Sequence, residues 1–235
     1  MTRAILMAAG RGTRISRAIN DYCKCTLDIG GTSLIRYTVQ MLLNENIEVH
    51  IVIGYDKQRI IDELRGLEVT YHENVFYSIT NSLVSLWFAR DAFRGDTIIL
   101  GNADVYWENN LLSELLNEKR DCVMLCDTSR VEQGDYLFRV EDEKILSCGK
   151  GSGCVGANCE YVGLAALNGD MISRCRDRLE LMVQQQLHNF WWEEILYSMI
   201  SERPIWAKDI AGEFWAEIDF IEDYNRIMEY RNNVK

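Results

Sequence analysis

The stretch Leu6-Met7-Ala8-Ala9-Gly10-Arg11-Gly12-Thr13-Arg14 holds residue types that can do chemistry. Alanines and glycines after an apolar run let a backbone come close to a ligand, because no bulky side chain intervenes. Successive main-chain N–H groups in such a turn can hold phosphate oxygens. Arg11 and Arg14 add guanidinium groups suited to phosphate. Two acids occupy similar places much further along. Ile98-Ile99-Leu100-Gly101-Asn102-Ala103-Asp104 and Trp215-Ala216-Glu217-Ile218-Asp219 each carry an extended segment into a carboxylate. Taken singly, an aspartate after a strand is as often a cap or turn residue as anything else. Beside a phosphate loop, two carboxylates match the protein's usual share of a Mg²⁺ site, with phosphate oxygens among the other ligands.

Two commoner phosphate motifs are absent. A dinucleotide fingerprint needs a third glycine where Ile15 stands. A Walker loop on the Gly149-Lys150 pair would need glycine at Lys144 and a hydroxyl residue at Gly151. The three histidines, His50, His72 and His188, lie in no recognisable site motif.

Strands and helices must place these residues. Thr2 to Met7 reads as a buried strand running into the glycine turn. Ser33 to Asn44 has helical spacing with Ser33 as cap, and Val49 to Ile53 is a second strand. A short helix at Lys57 to Leu64, a strand at Val69 to Tyr71, a helix at Asn81 to Phe93 and a strand at Thr97 to Leu100 follow. This alternation predicts an α/β fold with a mostly parallel sheet and helices on both faces, its ligand at the carboxyl ends of the strands. After Asp121 the pattern changes. Tyr136 to Val140, Lys144 to Leu146 and Tyr161 to Leu167 read as strands around a Gly-rich loop at Cys148 to Cys159. Helices at Asp170 to Gln186 and Trp191 to Ser201, strands at Ile205 to Lys208 and Trp215 to Ile218, and a helix at Glu222 to Tyr230 close the chain.

Composition narrows the function classes. With 235 residues, 48% apolar and one proline, the chain suits a single domain, 1–235, with its own core. A net charge of -11 excludes a uniformly basic nucleic-acid or membrane surface. Positive charge gathers instead in the first 24 residues, where Arg3, Arg11, Arg14, Arg17 and Lys24 face only Asp21. No signal peptide or membrane span is legible, so a cytoplasmic protein is expected. The eight cysteines then read as free thiols, with Cys122 and Cys126 in the core. The spacing of Cys148, Cys154 and Cys159 fits no paired zinc pattern.

The stretch from Leu6 to Arg14 resembles the Leu-Ala-Ala-Gly-x-Gly-x-Arg signature of the sugar-phosphate nucleotidyltransferase-fold family. That signature is normally followed by Pro-Lys, and Cys23-Lys24 keeps the lysine without the proline. Asn74 to Trp87, with Thr80-Asn81-Ser82 before the helix, resembles bacterial phosphocholine cytidylyltransferases and related phosphonate cytidylyltransferases. So do Glu160-Tyr161-Val162-Gly163, Trp191-Trp192-Glu193-Glu194, and Glu217 to Tyr224. The resemblance implies a Rossmann-like nucleotidyltransferase fold with a small mixed β insertion, 127–168, for the acceptor.

It also implies roles. Arg14 and Lys24 would act on the triphosphate as catalytic residues, and Asp104 and Asp219 would hold Mg²⁺. Leu6, Ala8, Ala9, Gly10, Arg11, Gly12 and Thr13 would bind the nucleotide, with Asn81 and Ser82 at the cytosine or ribose, Asn102 a nucleotide or water contact, and Ala103 a further nucleotide contact. The residues' own chemistry, beside the resemblance, makes Tyr77, Lys150, Glu160, Trp192 and Glu193 the acceptor-site candidates. Aromatic faces there would suit a choline headgroup, and Glu193 or Glu160 a primary amine. The implied reaction joins CMP from CTP to phosphocholine, phosphoethanolamine or 2-aminoethylphosphonate and releases pyrophosphate, with no nucleic acid, no membrane insertion and a homodimer left open. Rival readings are a sugar-1-phosphate enzyme using UTP or dTTP, and a silent nucleotide-binding subunit.

Overall fold

The computed structural model describes residues 1–12, 22–132 and 134–234, and Thr13 and Arg14 lie outside them. β1 (Thr2–Ala8) is buried along almost its whole length. β2 (Glu48–Ile53) and β4 (Thr97–Asn102) flank it in parallel, and β3 (Val69–Glu73) adds to β2 in the same sense. Such strands are covered on both faces, so Ala4-Ile5-Leu6-Met7 has no polar alternation. Ile5 and Met7 pack into one core, Ala4 and Leu6 into the other.

Parallel neighbours need crossovers. α1 (Leu34–Asn44), α2 (Lys57–Glu63) and α3 (Ser82–Phe88) supply them. α1 starts where Ser33 Oγ accepts from Arg36 N at 3.4 Å. It buries Leu34, Ile35, Thr38, Val39, Met41 and Leu42, the stripe of an amphipathic helix. Each such leucine or isoleucine contributes about 1.5–3 kcal/mol by leaving water.

The second half is mixed. β9 (Cys159–Asn168) lies between β4 and β6 (Cys122–Asp127) and runs antiparallel to both. β10 (Trp206–Asp209) joins β6 in parallel, and the hairpin of β7 (Tyr136–Glu141) and β8 (Lys144–Lys150) closes the edge. These strands form one nine-stranded sheet, ordered β3-β2-β1-β4-β9-β6-β10-β8-β7, with β7 also touching β9. The 127–168 region is thus continuous with the main sheet. A separate two-stranded ribbon joins β5 (Val105–Tyr106) to β11 (Ala216–Glu217). α4 (Asn109–Asn117), α5 (Asp170–Gln184), α6 (Glu194–Tyr197) and α7 (Ile221–Val234) complete the described elements. No helix among the described residues is long and apolar enough to cross a membrane.

Some bounds differ from the sequence reading. The helix expected to run to Phe93 stops at Phe88 and gives way to a 3₁₀ turn at Arg90–Ala92. The helix expected from Trp191 shrinks to α6, because the turns beyond it bond three residues back, as Met199 N does to Leu196 O. β5 and α4 were not anticipated at all.

Candidate active site

The carboxyl ends of β1 and β4 open onto a cavity of about 260 Å³, at the edge where a parallel sheet leaves room for a ligand. The ribbon pairs Val105 with Glu217 and Tyr106 with Ala216. The residues flanking it, Asp104 and Asp219, therefore reach one spot from distant parts of the chain. Lys24, in the 3₁₀ turn Lys24–Thr26, extends between them. Its Nζ is 2.5 Å from Asp219 Oδ1 and 3.5 Å from Asp104 Oδ2. Gly12 makes room for that side chain. Its φ is +62°, and a Cβ there would stand 2.7 Å from Lys24 Cε.

The electrostatics of this corner are one-sided. Burial works against the Lys24 ammonium, yet Asp104 and Asp219 outweigh it and its pKa is raised. Burial pushes the Asp104 carboxyl up, against the pull of Lys24 and with the help of Asp219. Glu217 is driven well above the usual carboxylate range by burial first, and by Asp104 and Asp219 second. Three carboxyl groups around one ammonium favour the entry of more positive charge. The donors are all oxygen, and a cationic group already sits between two of them, which suits a hard divalent ion. Among the described residues no three His, Cys, Asp or Glu side chains form a ready-made cage. A hard ion that takes one or two carboxylates and completes its shell with phosphate and water does not need one.

Around the first glycine turn, the tip of β4 and the start of α3, Ala8, Ala9, Gly10, Gly12, Asn81, Ser82, Asn102 and Ala103 all line the cavity. Ala103 N donates to Met7 O at 3.1 Å, tying the tip of β4 to the first turn. Asn102 is clamped from both sides. Its Oδ1 accepts from Trp192 Nε1 at 2.8 Å, and its Nδ2 donates to Glu193 Oε1 at 3.2 Å. Asn81 and Ser82 hold the 188–192 segment through three hydrogen bonds. Asn81 N donates to His188 O, Asn81 Nδ2 to Asn189 O, and Trp192 N to Ser82 Oγ. The fully buried Asn74 shapes the preceding loop through Thr80, Ser85 and Phe76 N.

Lys150, Glu160 and Glu193 also line the cavity, as does Tyr77, which sits against Gly54 beside Ala9 of the first glycine turn. Lys150 Nζ pairs with Asp135 Oδ2 at 3.1 Å and lies 4.7 Å from the centre of the Trp191 ring. Glu160 pairs with Arg130 at 2.9 Å. Three expected site residues do not line the cavity. Leu6 and Trp192 are fully buried, and Arg11 lies outside the lining with its guanidinium 5.4 Å from the centre of the Tyr55 ring. Trp192 is thus corrected from an acceptor contact to the side chain that orients Asn102. Thr13 and Arg14 fall outside the described residues.

Sequence reasoning missed Glu217 as a member of the charged corner. The signal was present, because Glu217 and Asp219 stand two apart in an extended segment and so face the same side. It also missed Tyr136, Tyr161 and Tyr197, which line the cavity. Tyr136 and Tyr161 lie in largely apolar strand segments that look like ordinary core.

Comparison with known proteins places these residues in context. A profile of the MobA-like NTP transferase domain matches residues 4–184. The 2-aminoethylphosphonate cytidylyltransferase of Lancefieldella rimae is 25% identical over 226 residues, covering 94% of this chain and 90% of that protein. The CTP:phosphoglutamine cytidylyltransferase of Campylobacter jejuni is 24% identical over 245 residues, covering 94% and 96%. Among solved structures, the CTP:phosphocholine cytidylyltransferase of Streptococcus pneumoniae superposes with a TM-score of 0.77 at 17% identity, covering 98% of this chain and 99% of the other.

Proposed function

Because the chain belongs to the MobA-like NTP transferase family and is a nucleotidyltransferase, we propose that it transfers CMP from CTP to a small phosphorylated or phosphonate acceptor. The observation that carries this reading is the contact of Lys24 with both Asp104 and Asp219 at the end of the first glycine turn. Relatives matched over nearly their whole length use CTP with a phosphonate or with phosphoglutamine, which supports CTP over UTP or dTTP. The convergence of Lys24, Asp104 and Asp219 speaks against a silent binding subunit.

An anionic oxygen of the acceptor attacks the α-phosphorus of CTP. A P–O bond forms there as the bond to the bridging oxygen breaks, and pyrophosphate leaves. The attacking oxygen is already anionic near neutral pH, so no side chain need remove a proton. Catalysis then rests on position and charge. Gly10 and Gly12 offer backbone to the phosphates, and Lys24 offsets their charge. Asp104 and Asp219 would hold Mg²⁺, which when bound supplies charge neutralisation on phosphate oxygens. The Asn102 amide, held by Trp192 and Glu193, presents a fixed polar group to the nucleotide. The 127–168 region, through Lys150 and Glu160, and the 191–197 segment would receive the acceptor.

A panel of CTP, UTP, dTTP and ATP against phosphoethanolamine, phosphocholine, 2-aminoethylphosphonate and glucose 1-phosphate tests this by pyrophosphate release. Release with CTP and an amine-bearing acceptor is expected. Release confined to UTP or dTTP with the sugar phosphate would overturn it.

A further inference from the structure

The carboxylates that line the cavity differ in what they already face. Asp104 and Asp219 share Lys24. Glu160 has Arg130, and Asp135 has Lys150. Glu193 is only 8% exposed and forms no ion pair among the described residues; its one side-chain partner there is the neutral amide of Asn102. Near it stand two phenols with an unmet need. The hydroxyl oxygens of Tyr161 and Tyr197 are buried and have no hydrogen-bond partner among the described residues. Burial pushes both phenols up, and the charge of Glu193 pushes them further, as expected of close neighbours. A buried carboxylate without a counter-ion and two buried hydroxyls without partners are each costly to leave so.

The aromatic rings here offer little open face to a cation. Tyr136 stacks on Tyr197, with ring centres 5.5 Å apart and planes 9° apart, and meets Trp191 edge-on at 6.0 Å. The Trp191 ring carries the Lys150 ammonium at 4.7 Å. A quaternary ammonium is bound chiefly by free aromatic faces and donates no hydrogen bond. A primary ammonium donates three. Resting on the proposed cytidylyl transfer, we infer that the acceptor carries a primary ammonium headgroup and that Glu193, with Tyr161 and Tyr197, is the group that reads it. The ammonium gives Glu193 its counter-ion, and its N–H groups are donors that the phenolic oxygens can accept. Each methyl placed on that nitrogen removes one donor and brings an apolar group against the carboxylate.

The test uses the full chain with CTP and four acceptors: phosphoethanolamine, its N-methyl and N,N-dimethyl forms, and phosphocholine. The expected result is a stepwise fall in kcat/KM, at least about a hundredfold across the series. Glu193→Gln should raise KM for phosphoethanolamine at least about tenfold and flatten the series, with a smaller effect on KM for CTP. Should that variant fail to fold, the wild-type series still decides. Phosphocholine used as well as phosphoethanolamine overturns the inference and leaves cytidylyl transfer standing. An unchanged KM for phosphoethanolamine in folded Glu193→Gln does the same. No pyrophosphate from CTP with any of the four, under conditions where a sugar 1-phosphate reacts, overturns both readings.

Discussion

The backbone N–H of Ile218 donates to the carbonyl of Asp104 at 3.0 Å. With the two residue pairs of the β5–β11 ribbon, that bond fixes where the carboxylates of Asp104 and Asp219 can lie relative to each other. On the far side, Asp223 Oδ2 accepts from both Asp219 N and Phe220 N, at 3.1 and 2.9 Å, and so starts α7. This is the reach-back half of a capping box, in which an acid of the first turn satisfies N–H groups that precede the helix. Here it also holds a charged residue at a set position against Lys24.

Gly12→Ala should damage the enzyme through Lys24. The new Cβ would stand within 3 Å of three carbons of the lysine stem, at a backbone φ of +62° that alanine resists. The expected effect is a fall of about ten- to a hundredfold in kcat/KM for CTP, together with a lower melting temperature. Kinetics equal to wild type would show that the Lys24 stem does not need this passage.

Trp192→Phe removes the indole donor to Asn102 Oδ1 while keeping an aromatic ring in the core. A partly buried acceptor left unpaired costs at most about 1–3 kcal/mol, to be measured by denaturant unfolding. The freed Asn102 amide should also raise KM for CTP. A loss of stability without any change in nucleotide kinetics would leave Trp192 a packing residue alone.

The acceptor kinetics should depend on pH through Glu193. Burial first of all, with Glu194 and Asp104 adding to it and the Asn102 hydrogen bond opposing it, raises this carboxyl to about 7. Its pKa is raised relative to the unfolded chain, so the ligand-free protein loses stability as pH climbs from about 4.5 to about 7. Pairing with an ammonium requires the carboxylate, so kcat/KM for an amine acceptor should rise over the same upper limit. The acceptor phosphate itself titrates near about 6. A Glu193→Gln profile that keeps the limb near 6 and loses the one near 7 separates the two groups. An identical profile in the variant removes Glu193 from acceptor binding.

Much of the fold was legible because the parallel half has an unambiguous pattern. Val49 to Ile53 and Thr97 to Leu100 are short apolar runs between helical periods, and both are central strands. α4 was missed because Leu111, Leu112 and Leu115 give only one short buried stripe between polar neighbours. β5 is only two residues long, too short for a period to show. In the site, the first turn stood out because its glycines come with arginines after a strand, and the two acids stood out only as a pair that could share an ion with it. Trp192 and Glu193 are adjacent in sequence, and their chemistry, an aromatic face and an acid, assigned both to the acceptor. Their burial decides otherwise for Trp192, which reaches the site only through Asn102. The Tyr161 and Tyr197 hydroxyls could not have been picked out, since whether a tyrosine oxygen finds a partner depends on packing among distant elements.

The central claim is that Asp104 and Asp219 act as one unit on a single triphosphate. The most direct measurement is a double-mutant cycle on CTP-dependent pyrophosphate release, using Asp104→Asn, Asp219→Asn and the pair. Each single change should lower kcat/KM by at least about a hundredfold, and the double variant should be no worse than the more damaged single one. Near wild-type rates in Asp219→Asn, or losses that simply multiply in the double variant, would contradict a shared site.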